Sequence, residues 1–332
     1  MQDDGTLRLF ALGATAEFGA AVAEAMGRAL DPLEERGFED GEHKARPLTG
    51  VRGSDAYVIQ GLHGGPDESP NDKLCRLLFF IAALGTSGAA RVTAVAPYLA
   101  YARKDRQTKP RDPLTARYLA QLIEAMGTAR LVTLEAHNLA ALQNAFRIET
   151  VTLNLRGVLL SRAAALAGDG PVAVAAPDPG GVKRAQLFRE ALEARLGRPV
   201  GFALMEKRRS GGIVTGQLLA GEVEGRRVLI VDDMIASGET MVRAATALRA
   251  AGAREAWALA AHGLFTAGAA TALADPAIDG WVTTDSVPPF RLAGRPALAG
   301  RVETVSAAPL FAETIRRLHA GGSVSELIAG TS

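Results

Sequence analysis

The stretch Asp232-Asp233-Met234-Ile235-Ala236-Ser237-Gly238-Glu239-Thr240 carries the strongest chemical signal in this chain. It follows the apolar run Val228–Val231 and leads into a helical pattern opening at Met241. Backbone N–H groups at a helix start point outward and carry the positive end of the helix dipole. Ser237 and Thr240 add hydroxyl donors, so the turn suits a phosphate. Asp232 and Asp233 beside it can accept hydrogen bonds from vicinal sugar hydroxyls. Together they describe a sugar-phosphate cradle. A bare Ser-Gly-x-Thr would read as no more than a capped helix with two acidic turn residues. The complete unit of strand, acid pair, turn and helix favours the cradle.

Three other groups could act on such a ligand. Lys207 and Arg209 lead into Ser210–Gln217, a Gly, Ser and Thr loop between two strand-like runs. A cationic loop of this kind can close on phosphates and stabilise charge in a transition state. Lys-Arg-Arg alone would be a solvated basic turn. Asp178 stands just past the run Val172–Ala176, at a turn relaxed by Pro179, Gly180 and Gly181. Phe38-Glu39-Asp40-Gly41-Glu42, read locally, is only an acidic turn.

The elements that position these residues alternate. Strands are expected at Leu7–Ala11, Ala56–Gln60, Val92–Ala96, Leu131–Leu134, Val172–Ala176, Phe202–Met205, Val228–Val231, Trp257–Ala261 and Trp281–Thr284, with a strand-like Thr150–Thr152. Most are continuous apolar runs, the signature of parallel strands covered on both faces. Helices are expected at Thr15–Ala29, Lys73–Leu84, Gly181–Leu196, Met241–Ala251 and Leu310–Leu318. The clearest runs from Asp112 to Met126, with Asp112 as cap, Pro113 at the first helical position and Gly127 as stop. This alternation predicts α/β architecture with doubly wound parallel sheets, whose ligands gather at the carboxyl ends of strands.

Composition sets the bounds. A chain of 332 residues, 48% hydrophobic, is long enough for two cores. The boundary is expected near Leu153–Leu155, giving domains 1–153 and 154–332, with 302–330 free to pack back on the first. Lys plus Arg (37) nearly balances Asp plus Glu (36), so there is no general field for nucleic acid or an acidic membrane. Any anion needs a local site. The single cysteine, Cys75, rules out an internal disulfide and a cysteine metal cluster. The opening Met1-Gln2-Asp3-Asp4 lacks the order of a secretory leader, and no apolar run spans a bilayer. A cytoplasmic setting is the expectation.

The Asp232–Thr240 unit is similar to the PRPP-binding motif shared by phosphoribosyltransferases and ribose-phosphate pyrophosphokinases. Other segments separate these families. Pro97-Tyr98-Leu99-Ala100-Tyr101-Ala102-Arg103-Lys104-Asp105-Arg106 resembles the pyrophosphokinase sequence Pro-Tyr-x-x-Tyr-Ala-Arg-Gln-Asp-Arg. Lys109–Ala116, Phe38–Glu42, Val51–Asp55, Pro177–Val182, Glu206–Arg209, Val305–Ala312 and Ser323–Ser325 resemble further blocks in the family's order, from about Leu9 to Leu327.

The resemblance implies phosphoribosyltransferase-type domains and transfer of the β,γ-diphosphoryl group of ATP to O1 of ribose 5-phosphate. It implies catalytic roles for Lys207 and Arg209. ATP would meet Phe38, Asp40 and Glu42 from a neighbouring subunit, and Arg103, Lys104, Asp105 and His137. Ribose 5-phosphate would meet Asp232, Asp233, Ala236, Ser237, Gly238, Glu239 and Thr240. Mg2+ would be linked to His137 and Asp178. A homo-oligomer of dimers, up to a hexamer, is the family's assembly. His43, His63, His262 and His319 read as structural or surface histidines.

The chain departs from the family pattern in places. Lys104 stands where Gln is usual, a change that would strengthen phosphate contact or alter nucleotide choice. Glu135-Ala136-His137 replaces Asp-Leu-His. Ala236 replaces an Asp and Glu239 a Gly in the phosphate turn, so Glu239 must point its carboxylate away from the ligand. Two rival readings are a phosphoribosyltransferase consuming PRPP and a non-catalytic regulatory homologue. The first would not need Phe38–Glu42 or Arg103–Asp105. The second would be marked by loss of Lys207, His137 or Asp178. A dinucleotide-binding oxidoreductase lacks support, because no Gly-x-Gly-x-x-Gly follows the first strand.

Overall fold

A computed structural model describes residues 6–210 and 213–329, and divides into two compact units. The first takes the chain up to Asn154 and again Ala307–Ile328; the second is Leu155–Ser306.

The first unit is built on a five-stranded sheet. Its strands are β1 (Leu7–Ala11), β4 (Asp55–Ile59), β5 (Arg91–Ala96), β6 (Arg130–Leu134) and β7 (Glu149–Leu153), side by side in that order and all parallel. Every residue of β4 and β6 is buried, which is why both segments are mostly apolar behind their first, charged residues Asp55 and Arg130. Helices α1 (Ala16–Ala25), α2 (Pro70–Thr86), α3 (Thr115–Ala125) and α4 (Leu139–Ala145) connect the strands. Leu77, Phe80 and Ile81 of α2 join Phe10, Val58 and Ala94 in one core cluster. A Ser69–Asp72 capping box fixes the start of α2, three residues earlier than the apolar pattern suggests.

Between β1 and β4 lies an antiparallel hairpin, β2 (Leu33–Gly37) with β3 (His43–Pro47). The sequence gives no apolar alternation there, and most of its residues are charged or half-exposed.

The second unit begins with α5 (Leu155–Ala167). Its seven-stranded sheet runs in the order β10 (Ile213–Gly221), β9 (Gly201–Ser210), β8 (Val172–Ala176), β11 (Arg227–Ile235), β12 (Glu255–Gly263), β13 (Gly280–Thr284) and β14 (Val302–Val305). All neighbours are parallel except the β9–β10 pair. The helices include α6 (Val182–Leu196), α7 (Glu239–Ala250), α8 (Ala269–Ala274) and α9 (Pro296–Ala299).

The C-terminal stretch does not move as one block. Strand β14 pairs with β13 in the second sheet. Helix α10 (Ala308–His319) belongs to the first unit, where Phe311 meets Phe18 of α1 edge-on at 5.4 Å. The expected return of 302–330 therefore excludes the strand, whose backbone is committed to the β13 ladder. A short helix, α11 (Ser325–Ala329), follows. No described helix is long and apolar enough to cross a membrane.

Candidate active site

Strand β11 continues through Ile235, so Asp232 and Asp233 are strand residues and not the turn residues of the plain reading. Both face limited solvent: the Asp232 side chain is 17% exposed and that of Asp233 4%. Asp233 donates its N–H to Asp232 Oδ1 at 2.9 Å. Burial, and then the neighbouring charge of Asp233, push the Asp232 carboxyl up to about 7, against the opposing pull of Arg184. Arg184, from the first turn of α6, places Nη1 3.1 Å from Asp232 Oδ1 and 3.9 Å from Asp233 Oδ1. Sequence reasoning missed it. Only the adjacency of β8 and β11 brings residues 48 apart together.

The turn after β11 is held from one side. Leu264 and Phe265 donate N–H to the Ile235 carbonyl at 2.9 and 3.1 Å, and Thr266 to that of Ala236 at 3.0 Å. Ala236 and Ser237 are half-buried, and Gly238 is buried in a left-handed conformation at φ 82° as the residue before α7. A Cβ there would lie 2.7 Å from the Ala272 Cβ and 3.3 Å from the Trp281 ring. The helix opens at Glu239, two residues before the expected Met241, so its first N–H groups belong to the turn. Glu239 is exposed; Thr240 is half-buried and accepts from Arg243 Nη2 at 3.2 Å. The junction thus sets an open helix N-terminus, which favours anions, beside two carboxylates that can accept hydrogen bonds.

Asp178 caps the short helical turn Pro179–Gly181, with Oδ1 accepting from Gly180 and Gly181 N–H at 2.9 and 3.1 Å. That turn packs on β11, and Gly181 sits over the acid pair: a Cβ there would be 3.8 Å from Asp232 Oδ1.

Lys207 and Arg209 have their backbone in β9, where Lys207 faces Gln217 and Arg209 faces Val214 across the hairpin. Their side chains lie outside the described residues, as do Gly211 and Gly212. The expected loop Ser210–Gln217 is thus mostly paired strand in its described part, because the ladder of β9 and β10 carries on past Met205.

In the first unit the candidate nucleotide residues fall into two groups. Phe38, Asp40 and Glu42 form the tip of the β2–β3 hairpin. Phe38 N–H donates to the Glu42 carbonyl at 2.8 Å, and Glu42 N–H to Asp40 Oδ1 at 3.0 Å. The Phe38 ring is 39% exposed, with the Arg36 guanidinium 5.2 Å from its centre.

The second group lies beyond β5 and β6. Asp105 accepts from Asn138 Nδ2 at 2.6 Å and from Arg106 Nε and Nη2 at 3.0 and 3.1 Å. Burial works to raise its carboxyl, but these donors outweigh it and hold the group below the usual carboxylate range. Asp105 and His137 line one cavity of about 10 Å³, with Leu99, Ala116 and Leu142 among its walls. That is room for about one water, so a nucleotide cannot use it as a base pocket. Arg103 and His137 are exposed.

Lys104 and Asp112 differ from expectation. Asp112 does not cap α3, which starts at Thr115 behind Leu114. Its Oδ2 accepts from Lys104 Nζ, from the Thr108 hydroxyl at 2.7 Å, and from the N–H groups of Thr108 and Lys109 at 3.0 Å each. The Lys104 ammonium foremost, and the Thr108 donors next, pull the Asp112 carboxyl far down. In this structure Lys104 thus ties the ends of the 104–112 loop together through Asp112.

Among the described residues no cluster of three or more His, Cys, Asp or Glu is arranged to hold a metal. Asp178 keeps its second oxygen clear of the capping bonds. A lone carboxylate oxygen fits a magnesium ion that arrives on substrate phosphates with its own waters better than a protein cage would.

Residues 7–127 match the family described as the N-terminal domain of ribose phosphate pyrophosphokinase, and residues 215–329 match the phosphoribosyl synthetase-associated domain. A ribose-phosphate pyrophosphokinase of Caldanaerobacter subterraneus subsp. tengcongensis is 37% identical over 325 residues, covering 97% of this chain and 98% of its own length. One from Vibrio parahaemolyticus is 35% identical over 323 residues, with the same two coverages. The crystal structure of phosphoribosylpyrophosphate synthetase from Mycobacterium smegmatis aligns with a TM-score of 0.84 at 30% identity, covering 96% of this chain and 100% of that one.

Proposed function

This chain belongs to the ribose-phosphate pyrophosphokinase family, and we propose that it makes PRPP and AMP from ATP and ribose 5-phosphate. The β11–α7 junction carries the reading: Asp232 and Asp233 at a strand end, beside an open helix N-terminus that suits the 5-phosphate.

Ribose O1 attacks the β-phosphorus of ATP. The O1–Pβ bond forms as the bond from Pβ to the α,β-bridging oxygen breaks, AMP leaves with that oxygen, and the O1 proton passes to solvent. Such a transfer needs positioning and charge neutralisation more than covalent help. Asp232 and Asp233 accept from the ribose hydroxyls. The N–H groups of the Ala236–Thr240 turn, with Ser237 and Thr240, receive the 5-phosphate. Exposed Glu239 directs its carboxylate to solvent. Phe38 offers a face for adenine stacking, with Asp40 and Glu42 as acceptors for its exocyclic amine. Arg103, Asp105 and His137 hold the nucleotide, and Lys207 and Arg209 stabilise the phosphate charge. Asp178 would offer Mg2+ the oxygen left clear of its capping bonds, and the ion would supply charge neutralisation on the phosphate chain. The likeness extends the proposal to a cytoplasmic homo-oligomer; a monomer by light scattering at working concentration removes that part.

Purified protein given ATP, magnesium and ribose 5-phosphate should release AMP and PRPP in equal amounts. ADP as product would make it a simple kinase, and no turnover would leave a regulatory homologue. Lys207→Ala should lower kcat far more than it raises either KM; a defect confined to KM contradicts the role given to Lys207.

A further inference from the structure

Arg184 stands at the third position of α6, where a cation is out of place. The first turn of that helix contains no acid and reads Val182-Lys183-Arg184. Positive charge near a helix N-terminus opposes the dipole. The side chain is also 14% exposed, so its guanidinium is largely drawn out of water. The contacts to the acid pair work against both costs.

Successive strand residues normally point to opposite faces of a sheet. Here one nitrogen, Arg184 Nη1, lies 3.1 Å from Asp232 Oδ1 and 3.9 Å from Asp233 Oδ1. Asp232 also bends back to accept the Asp233 N–H. Gly181 lies alongside this pair: a Cβ there would stand 3.8 Å from both Arg184 Nη1 and Asp232 Oδ1, an ordinary contact distance. Without the Arg184 cation, the repulsion between these two adjacent carboxylates goes unopposed, and one of them swings away or holds its proton more tightly than it does in the intact site. Either change removes an acceptor from the cradle.

We infer that Arg184 is a positioning residue for the pentose, its guanidinium holding Asp232 and Asp233 in the arrangement that receives the vicinal ribose hydroxyls. The inference rests on the proposed pentose site. Arg184 acts through the acids and need not touch the sugar. The planar fork matters as well as the charge, since two carboxylates at unequal distances are held by one fixed group.

The test compares Arg184→Gln, Arg184→Lys and Asp232→Asn in steady-state assays with each substrate varied in turn. Arg184→Gln should raise the ribose 5-phosphate KM by about tenfold or more, with the ATP KM changed less than about twofold and kcat less than about threefold. Arg184→Lys, which keeps charge and loses the fork, should raise it by about threefold. It also carries the test if the Gln variant does not fold. A role confined to fold stability would move both KM values together or neither, and either result overturns the inference. Asp232→Asn separates the two levels. If it leaves the ribose 5-phosphate KM unchanged, the pentose site itself is misplaced. If it raises that KM while both Arg184 variants do not, only the positioning role falls.

Discussion

His319 Nδ1 lies 2.9 Å from Asp55 Oδ2, joining the end of α10 to the start of β4, 264 residues away. The same carboxylate takes Arg91 through Nε and Nη2 at 2.8 and 2.7 Å, and the Tyr57 hydroxyl at 3.1 Å. Burial works to raise Asp55, but Arg91, His319 and Tyr57 together hold it below its usual range. One buried acid thus anchors three segments of the first unit.

Removing that acid strands its partners. Asp55→Ala should cost about 2–4 kcal/mol in urea unfolding, below the full cost of stranding a buried charge because the Arg91 side chain is 40% exposed. His319→Ala should cost less, about 1–2 kcal/mol, because Arg91 and Tyr57 still satisfy the carboxylate. Equal losses for the two variants would show that Asp55 is not the hub.

The Lys104–Asp112 contact makes a discriminating pair of variants. Because Lys104 is held within its own loop, Lys104→Gln should change the ATP KM by less than about threefold. Asp112→Ala removes an acceptor used by four donors and should raise the ATP KM by about tenfold, by loosening the backbone that presents Arg103 and Asp105. The reverse order, a large effect at Lys104 and none at Asp112, would mean that Lys104 reaches the nucleotide directly.

Much of this architecture is legible in the sequence for a physical reason. A parallel strand buried on both faces must be apolar throughout, so Val172–Ala176 is read with the bounds it has in the structure. The β2–β3 hairpin is not legible, because exposed strands of Glu, Arg, Lys and His leave no pattern. Asp112 misleads since Asp-Pro before an apolar stripe is the usual helix start, and only the folded loop offers it four donors. At the cradle, residue types reveal Asp232 through Thr240. Arg184 stays hidden because an arginine in an amphipathic helix reads as surface until sheet order is known. A signal did exist: a basic first turn directly after Asp-Pro-Gly-Gly.

Gly238 is where backbone and packing coincide. Its φ of 82° disfavours any side chain, and the space is filled by Ala272 and Trp281. Gly238→Ala should lower stability by about 2–4 kcal/mol and raise the ribose 5-phosphate KM by about tenfold, since the turn must shift to admit a methyl. A variant with unchanged KM would show that the phosphate does not depend on this turn.

Asp232 gives the apo protein a pH dependence whose sign follows from its environment. Its carboxyl sits near 3.8 when unfolded and is raised to about 7 in the fold, by burial first and by Asp233 second. The folded state therefore keeps a proton that the unfolded chain has lost. The associated stability is complete below about pH 4, declines as pH rises, and is gone once pH passes about 7. The span corresponds to at most about 4 kcal/mol, reduced to about 1–3 kcal/mol because the Asp232 side chain keeps 17% of its surface in contact with solvent. Asp55 and Asp105, whose carboxyls are lowered, act with the opposite sign, so the wild-type profile alone does not isolate the effect. The difference between wild type and Asp232→Asn does, because those other groups cancel. Unfolding free energies measured at pH 5 and pH 8 should show the Asn variant gaining on wild type by about 1–3 kcal/mol at the higher pH. Parallel profiles would mean that Asp232 is already ionised in the folded protein at pH 5.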